Sequence, residues 1–439
     1  MNTHTHTHTY THTQFSNLDE SKLRDTIKTF LMNRFILLFT ALCCFMSCNS
    51  GTQRSVGKEN ATGVELLAID LAQKNYPEKR ICLQDIADIT YIPLETSNEV
   101  LVDSYAFIQY VSDNYIVVAN KNQGGVFIFT IDGKIQSGFN NKGNSGTEYL
   151  NIEQIVFDEE NGEMFILDKT AVNIFVYSKT GQYKRVLKYP EDGMRLEAVY
   201  NFNDTLLLAY DNYFQQDGGG YNKTPYLLIS KKDGSIVSNA KIFLEKRFSK
   251  YYYAGYGFSY ANICKYGHDF IISDMSSDTI FQLSSGGDLI PLVYNTPSVH
   301  DFKPKTMIYA ALKTDNYFFL SKTTIDESGI AEKINEGKFN FIESMDFVYD
   351  FNDCNIYNYS LYNADRPKDV YARIGLSGND IPINTDVNMI NASNLKRLLQ
   401  KDELYGELKA VAQKVNEEDN PVVILIKYKS TDKDIELGN

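Results

Sequence analysis

Phe127-Ile128-Phe129-Thr130-Ile131-Asp132-Gly133 reads as a strand running into a tight hairpin, and its pattern returns four more times along the chain. The copies are Ile174-Phe175-Val176-Tyr177 before Thr180-Gly181, Tyr226-Leu227-Leu228-Ile229 before Asp233-Gly234, Ile280-Phe281-Gln282-Leu283 before Gly286-Gly287, and Phe347-Val348-Tyr349 before Asn352-Asp353. Aromatic and β-branched residues suit a pleated surface, and Gly, Asn or Asp supplies the positive φ of a tight turn. Upstream of each hairpin a polar turn feeds an apolar strand. These are Asp113-Asn114 into Tyr115 to Val118, Asn161-Gly162 into Met164 to Leu167, Asn203-Asp204 into Leu206 to Leu208, Gly267-His268-Asp269 into Phe270 to Ile272, and Asp315-Asn316 into Tyr317 to Leu320. A third strand lies earlier still, as in Ala106-Phe107-Ile108 or Ile152 to Phe157, and a fourth follows the hairpin.

Equivalent hairpin positions are about 48, 53, 53 and 66 residues apart. A four-stranded unit with a period near 50 predicts a propeller blade. Five blades fill the middle of the chain, and the ends supply a sixth. Ile89 to Glu95 is a strand, residues 381–390 offer short strands, and Pro421 to Tyr428 is another strand. Between them, leucines 395, 398, 399, 404 and 408 recur at helical spacing, predicting one helix from Asn394 to Val415. The expected fold is all-β: a six-bladed β-propeller of four-stranded antiparallel blades over 64–430. N- and C-terminal strands close the ring, because closure removes exposed edges, and one C-terminal helix is inserted in the last blade.

The first residues read differently. Residues 1–31, rich in alternating Thr and His, form a low-complexity extension, the product of an upstream start. Residues 32–47 read as a signal peptide: Arg34 supplies the positive charge, and Phe35 to Met46 an apolar run too short to span a bilayer. Phe45-Met46-Ser47-Cys48 resembles a bacterial lipobox, which makes Cys48 a lipidation site and membrane anchor. Residues 48–63 are then anchor and flexible tether, and 431–439 a polar tail.

The formal charge is −13 and no basic cluster appears, so nucleic acid is not an expected partner. Cys82, Cys264 and Cys354 are far apart without CxxC spacing and read as free thiols, with a disulfide open in an oxidising compartment. His268 falls in a solvated turn and His300 in a loop. No GxSxG, HExxH or P-loop is present. Asp168, Asp211 and Asp274 follow equivalent strands; a carboxylate ring there has the chemistry to hold Ca²⁺, and strand-end solvation is the favoured reading. No catalytic residue, metal ligand or cofactor is assigned.

Several stretches resemble the six-bladed β-propeller lipoproteins of Bacteroidetes, an NHL-like family of largely undetermined function. They are Asp88 to Thr96, Gly143-Asn144-Ser145-Gly146-Thr147-Glu148-Tyr149, Ser277 to Leu283, and Glu418 to Val422. The family loop usually reads Gly-x-Gly-Pro-x-Glu-Tyr, and Ser145 and Gly146 depart from it here. Surface-exported lipoproteins of this phylum carry an acidic run after the lipidated Cys. Asn49 to Val56 has none, which implies an outer-membrane anchor facing the periplasm.

Two aromatic insertions are the candidate binding elements. Tyr213, Phe214 and Tyr221 lie in an enlarged loop after the second strand of blade three, and Tyr251, Tyr252 and Tyr256 in the connection to blade four. In an up-and-down blade both emerge on one face, with the Glu148-Tyr149 loop beside them. Aromatics among Gly, Asn, Gln and Asp suit a glycan or peptide, or an envelope protein partner. The expected function is a lipid-anchored binding module at the cell envelope. The alternatives are a metal-dependent propeller enzyme of lactonase or lyase type, and a structural subunit of an envelope complex.

Overall fold

The computed structural model describes residues 58–59 and 65–430, apart from 190, 192, 213, 216–219, 249–251, 254–255, 258–260, 327, 330–331, 334–335, 337–340 and 375–379. Cys48, the signal peptide, the polar tail, Tyr213 and Tyr251 therefore lie outside the described residues.

Blade one is Phe107–Val111, Tyr115–Asn120, Gly125–Thr130 and Ile135–Asn140, paired antiparallel in that order. Blade two is Gln154–Asp158, Glu163–Asp168, Asn173–Ser178 and Tyr183–Lys188. Blade three is Leu196–Asn201, Leu206–Asp211, Tyr226–Ser230 and Ile236–Asn239. Blade four is Ala261–Tyr266, Asp269–Asp274, Thr279–Leu283 and Leu289–Thr296. Blade five is Lys305–Lys313, Tyr317–Ile325, Ile342–Asp350 and Asn355–Tyr362. Second and third strands are sandwiched between neighbouring blades, so both their faces are buried and their sequences read as unbroken apolar runs. The outer strand Ile135–Asn140 instead alternates half-buried and exposed residues.

The sixth blade joins the two ends of the chain. Val422–Tyr428 pairs antiparallel with Ala87–Pro93 along its whole length, Val423 opposite Ile92 and Ile426 opposite Ile89. Thr385–Ile390 lies on its other side. At the innermost place Asp380 bridges Tyr110 in parallel, its carbonyl accepting the Val111 N–H at 3.1 Å. Among the described residues the closing blade thus has three regular strands and the bridge at Asp380.

Two features go beyond the sequence expectation. Before entering blade six, the N-terminal part straps the outer edges of two other blades. Glu65–Asp70 runs parallel to the last strand of blade four and Glu78–Cys82 parallel to that of blade five. Both edges are thereby covered, with Ile69, Leu71, Ile81 and Leu83 buried beneath. A single turn of helix, α1 (Leu83–Ile86), follows. The helical insertion of blade six is also broken in two: α2 (Ala392–Gln400) and α3 (Gly406–Lys414). Asp402 and Gly406 adopt positive φ, which ends one helix and turns the chain into the next. Leu395, Leu398, Leu404 and Leu408 still share one buried cluster, as their spacing predicts, across the break between the two helices.

Candidate functional site

Because each blade runs up and down, its connections divide between two faces. On one face the turns, such as 112–114, 159–162 and 267–268, are two to five residues long. On the other run the 14 residues of 212–225, the 21 of 240–260, the 16 of 326–341 and the 31 of 391–421.

The aromatic insertions fall on this second, loop-rich face, and each contains a small hairpin. Phe214–Gln215 pairs with Gly220–Tyr221, and Tyr252–Tyr253 pairs with Tyr256–Gly257. Phe214 therefore stands opposite Tyr221, and Tyr253 opposite Tyr256. The root of the second insertion is docked: Arg247 donates to the Tyr210 hydroxyl at 2.6 Å, and the Phe248 N–H donates to Ser276 Oγ at 3.1 Å. His300 packs on the Phe248 ring and contacts the Ser276 carbonyl through Nε2, a structural use of that side chain.

The loop of residues 141–153 is held from inside. Tyr149 is 0% exposed, its hydroxyl donating to the Gly124 carbonyl at 2.5 Å and accepting the Asn141 N–H at 3.0 Å. This corrects the expectation that Tyr149 faces a ligand: the side chain is core. Glu148 is half-buried and accepts the Ser145 N–H at 2.9 Å.

The three strand-end aspartates are likewise occupied. Asp168 accepts four backbone N–H groups, from Leu150 (2.6 Å), Asn151 (3.1 Å), Thr170 and Ala171 (both 2.9 Å). Asp211 accepts from Arg195 N and from Asn222 Nδ2, and Asp274 from Ser276 N and the Tyr226 hydroxyl. Burial raises the Asp274 carboxyl pKa, with the Arg247 charge opposing. Asn120 holds the same place in blade one, binding Asp103 N and Leu101 O. These side chains staple the loop-rich face to the strands. Among the described residues, no group of three or more His, Cys, Asp or Glu is placed to hold a metal ion.

What remains accessible on the loop-rich face is a polar belt that sequence reasoning missed. Lys169, after the second strand of blade two, bridges Glu153 at 3.4 Å and Glu197 at 2.7 Å, and Asn212 stands 3.5 Å from Glu197. Beside it opens a cleft of about 450 Å³ lined by Lys169, Tyr189, Arg195, Glu197 and Asn212 among others. On the blade-one side, Tyr105 and Phe107 are 72% and 52% exposed. The sequence pattern marks Phe107 only as a strand residue. Only the exposure of large aromatics in alternation with buried neighbours marks the pair out.

The opposite end of the axis is closed by charge. Lys265 of blade four pairs with Asp380 of blade six, which requires a contact across the ring. Lys231 of blade three pairs with Asp158 of blade two at 2.7 Å. Burial raises the Asp380 pKa, Lys265 and Lys231 oppose that shift, and Oδ2 of Asp380 is buried without a hydrogen-bond partner.

A family model described as a domain of unknown function, DUF4934, matches residues 66–427. The chain belongs to this family. The match begins inside the strap strand on blade four and ends inside the closing strand Val422–Tyr428, so the DUF4934 domain is the whole ring with its strap. Among solved structures, a Bacteroides fragilis protein described as exported is similar at 15% identity, covering 83% of this chain and 100% of that one, with a TM-score of 0.57. A member of the DUF4221 family from Bacteroides vulgatus is similar at 8% identity, covering 79% and 100%, with a TM-score of 0.42. No curated protein matches the chain.

Proposed function

We propose that this DUF4934 protein is an exported, lipid-anchored binding module that engages a glycan, peptide or envelope protein through its loop-rich face. The observation that carries this reading is the division of labour between the two faces. Every described connection longer than five residues between strands within a blade is on one side, together with the exposed aromatics and the Glu–Lys belt. The committed state of Asp168, Asp211 and Asp274 leaves their carboxylates little freedom to serve a metal-dependent enzyme. Cys48 as anchor agrees with the signal peptide and lipobox read from residues 32–48, and a periplasm-facing position with the lack of an acidic run over Asn49 to Val56.

The test is a thermal-shift screen of the full chain against glycans, short peptides, Ca²⁺ and EDTA. A ligand at about 100 times its Kd adds roughly 2.7 kcal/mol. At least one glycan or peptide is expected to raise Tm, and the combined change Tyr213→Ala, Tyr252→Ala and Tyr256→Ala to remove that shift. A shift that survives all three changes counts against the loop-rich face, and destabilisation by EDTA alone moves the enzyme reading forward. Cys48→Ala is expected to release the protein from the membrane fraction.

A further inference from the structure

We propose that the loop-rich mouth over blades one to three is a groove for a neutral carbohydrate chain, with Tyr105 and Phe107 as ring platforms and Glu153 and Glu197 as hydroxyl acceptors. The inference rests on the reading of that face as a binding surface and names what it takes.

Three observations carry it. First, burial alternates along the start of blade one: Tyr105 and Phe107 are exposed, whereas Ala106 and Ile108 are 7% and 6% exposed and enter the core with Leu94 and Val100. Phe107 stands opposite Ala119, which packs in the apolar cluster shared by blades one and two, so its ring lies on the blade-two side, and Tyr105 sits in the turn just before it. Second, Lys121 ties Phe107 to the belt. Its Nζ lies 5.0 Å from the Phe107 ring centroid. Burial lowers its pKa, and the charges of Glu153 and Lys169 act on it, which places these three groups within electrostatic reach. Third, the belt is charge-matched. Lys121 and Lys169 balance Glu153 and Glu197, and Lys169 already bridges the two carboxylates. A charged ligand has to displace one of these pairs. A hydroxyl-rich neutral ligand does not, because each carboxylate keeps lone pairs after meeting Lys169. Apolar ring faces beside a few fixed polar groups are what a sugar needs, with its C–H face on one side and its hydroxyls on the other.

Arg195, which lines the adjoining cleft, makes an acidic glycan the sharpest rival. The experiment is isothermal titration of the full chain with cellohexaose, xylohexaose, mannohexaose, polygalacturonate and hexalysine, in low and high salt. A neutral hexasaccharide is expected to bind with little salt dependence. Phe107→Ala and Glu153→Gln are each expected to weaken it about tenfold, the equivalent of roughly 1.4 kcal/mol. Both residues are accessible to solvent, so unchanged melting temperatures are expected for the variants. Salt-sensitive binding of polygalacturonate or hexalysine alone overturns the proposal, as does failure of all three neutral sugars. A ligand lost in the Tyr213, Tyr252 and Tyr256 changes but indifferent to Phe107→Ala also overturns it, while leaving the loop-rich face a binding surface. A protein with no ligand on that face by any probe loses both readings.

Discussion

The two faces of this propeller are built from the same strands but solve opposite problems. On the tight-turn face, short turns bring charged side chains from blades two, three, four and six to the axis, where they are buried and paired. On the loop-rich face, aspartates at the strand ends hold backbone amides, so the loops above them can lengthen without loosening the ring. Asp168 with its four N–H partners is the clearest case. The physical lesson concerns burial: an ion pair at the closed end is part of the fold, whereas one at the open end is available surface.

Removing one member of a pair at each end tests this most severely. Lys231 and Asp158 have side chains only 6% and 5% exposed. Lys231→Met keeps the stem but leaves Asp158 buried beside Asn161 without its cation, and is expected to cost about 3–5 kcal/mol in urea unfolding. Lys169 is 32% exposed and its partners 45% and 41%. Lys169→Met is expected to cost less than about 1 kcal/mol, because solvent screens such pairs. Equal costs would erase the distinction between the faces.

A smaller effect separates two turns on the same face. Gly133 and Gly287 close equivalent hairpins at φ +86 and +88. Alanine at either costs about 1–2 kcal/mol for the left-handed backbone. At Gly133 the added Cβ would also sit 2.4 Å from the Pro93 carbonyl, whereas nothing lies within 4 Å of it at Gly287. That carbonyl cannot retreat easily, since Glu95 N donates to Gly133 O at 2.8 Å across the joint between blades six and one. Gly133→Ala is therefore expected to exceed Gly287→Ala by about 1–3 kcal/mol, measured the same way. Indistinguishable values would mean that the closing joint yields.

The turn glycines also show how far the sequence could be read. Strands, hairpins and closure follow local rules, since alternation and positive-φ residues act within a few positions, and so the ring was legible from Gly133, Gly181, Gly234 and Gly287. The strap was not: Glu65–Asp70 and Glu78–Cys82 are ordinary strands whose partners lie more than two hundred residues away. The same holds for Lys265 with Asp380, 115 residues apart, and for Lys231 with Asp158, 73 apart. At the candidate site the aromatic insertions were visible because Tyr-rich loops are unusual. Tyr105, Phe107 and the Glu153–Lys169–Glu197 belt were invisible because nothing in their immediate sequence distinguishes a ring turned outward from one turned in. Tyr149 failed in reverse, a motif tyrosine whose neighbours Gly124 and Asn141 claim its hydroxyl.

A further, smaller effect than the glycine difference concerns acid. On the tight-turn face Glu163 meets Arg185 through two hydrogen bonds of 2.8 and 2.6 Å and Lys184 through one of 3.0 Å. The Arg185 hydrogen bonds, with Lys184 adding, hold its carboxyl down to about 2. A carboxyl depressed in the fold contributes stability above its unfolded pKa, near 4.3, and loses it as pH falls towards the folded value. Glu163→Gln should thus cost on the order of 1 kcal/mol at pH 7, modest because Lys184 and Arg185 remain partly solvated. The gap between wild type and variant should shrink between about pH 4.3 and 2, as wild type alone loses the pair. Urea midpoints measured across that range decide it. Parallel curves would assign the pair no net contribution, and would place Glu163, despite its face, with the solvent-screened charges of the opposite side.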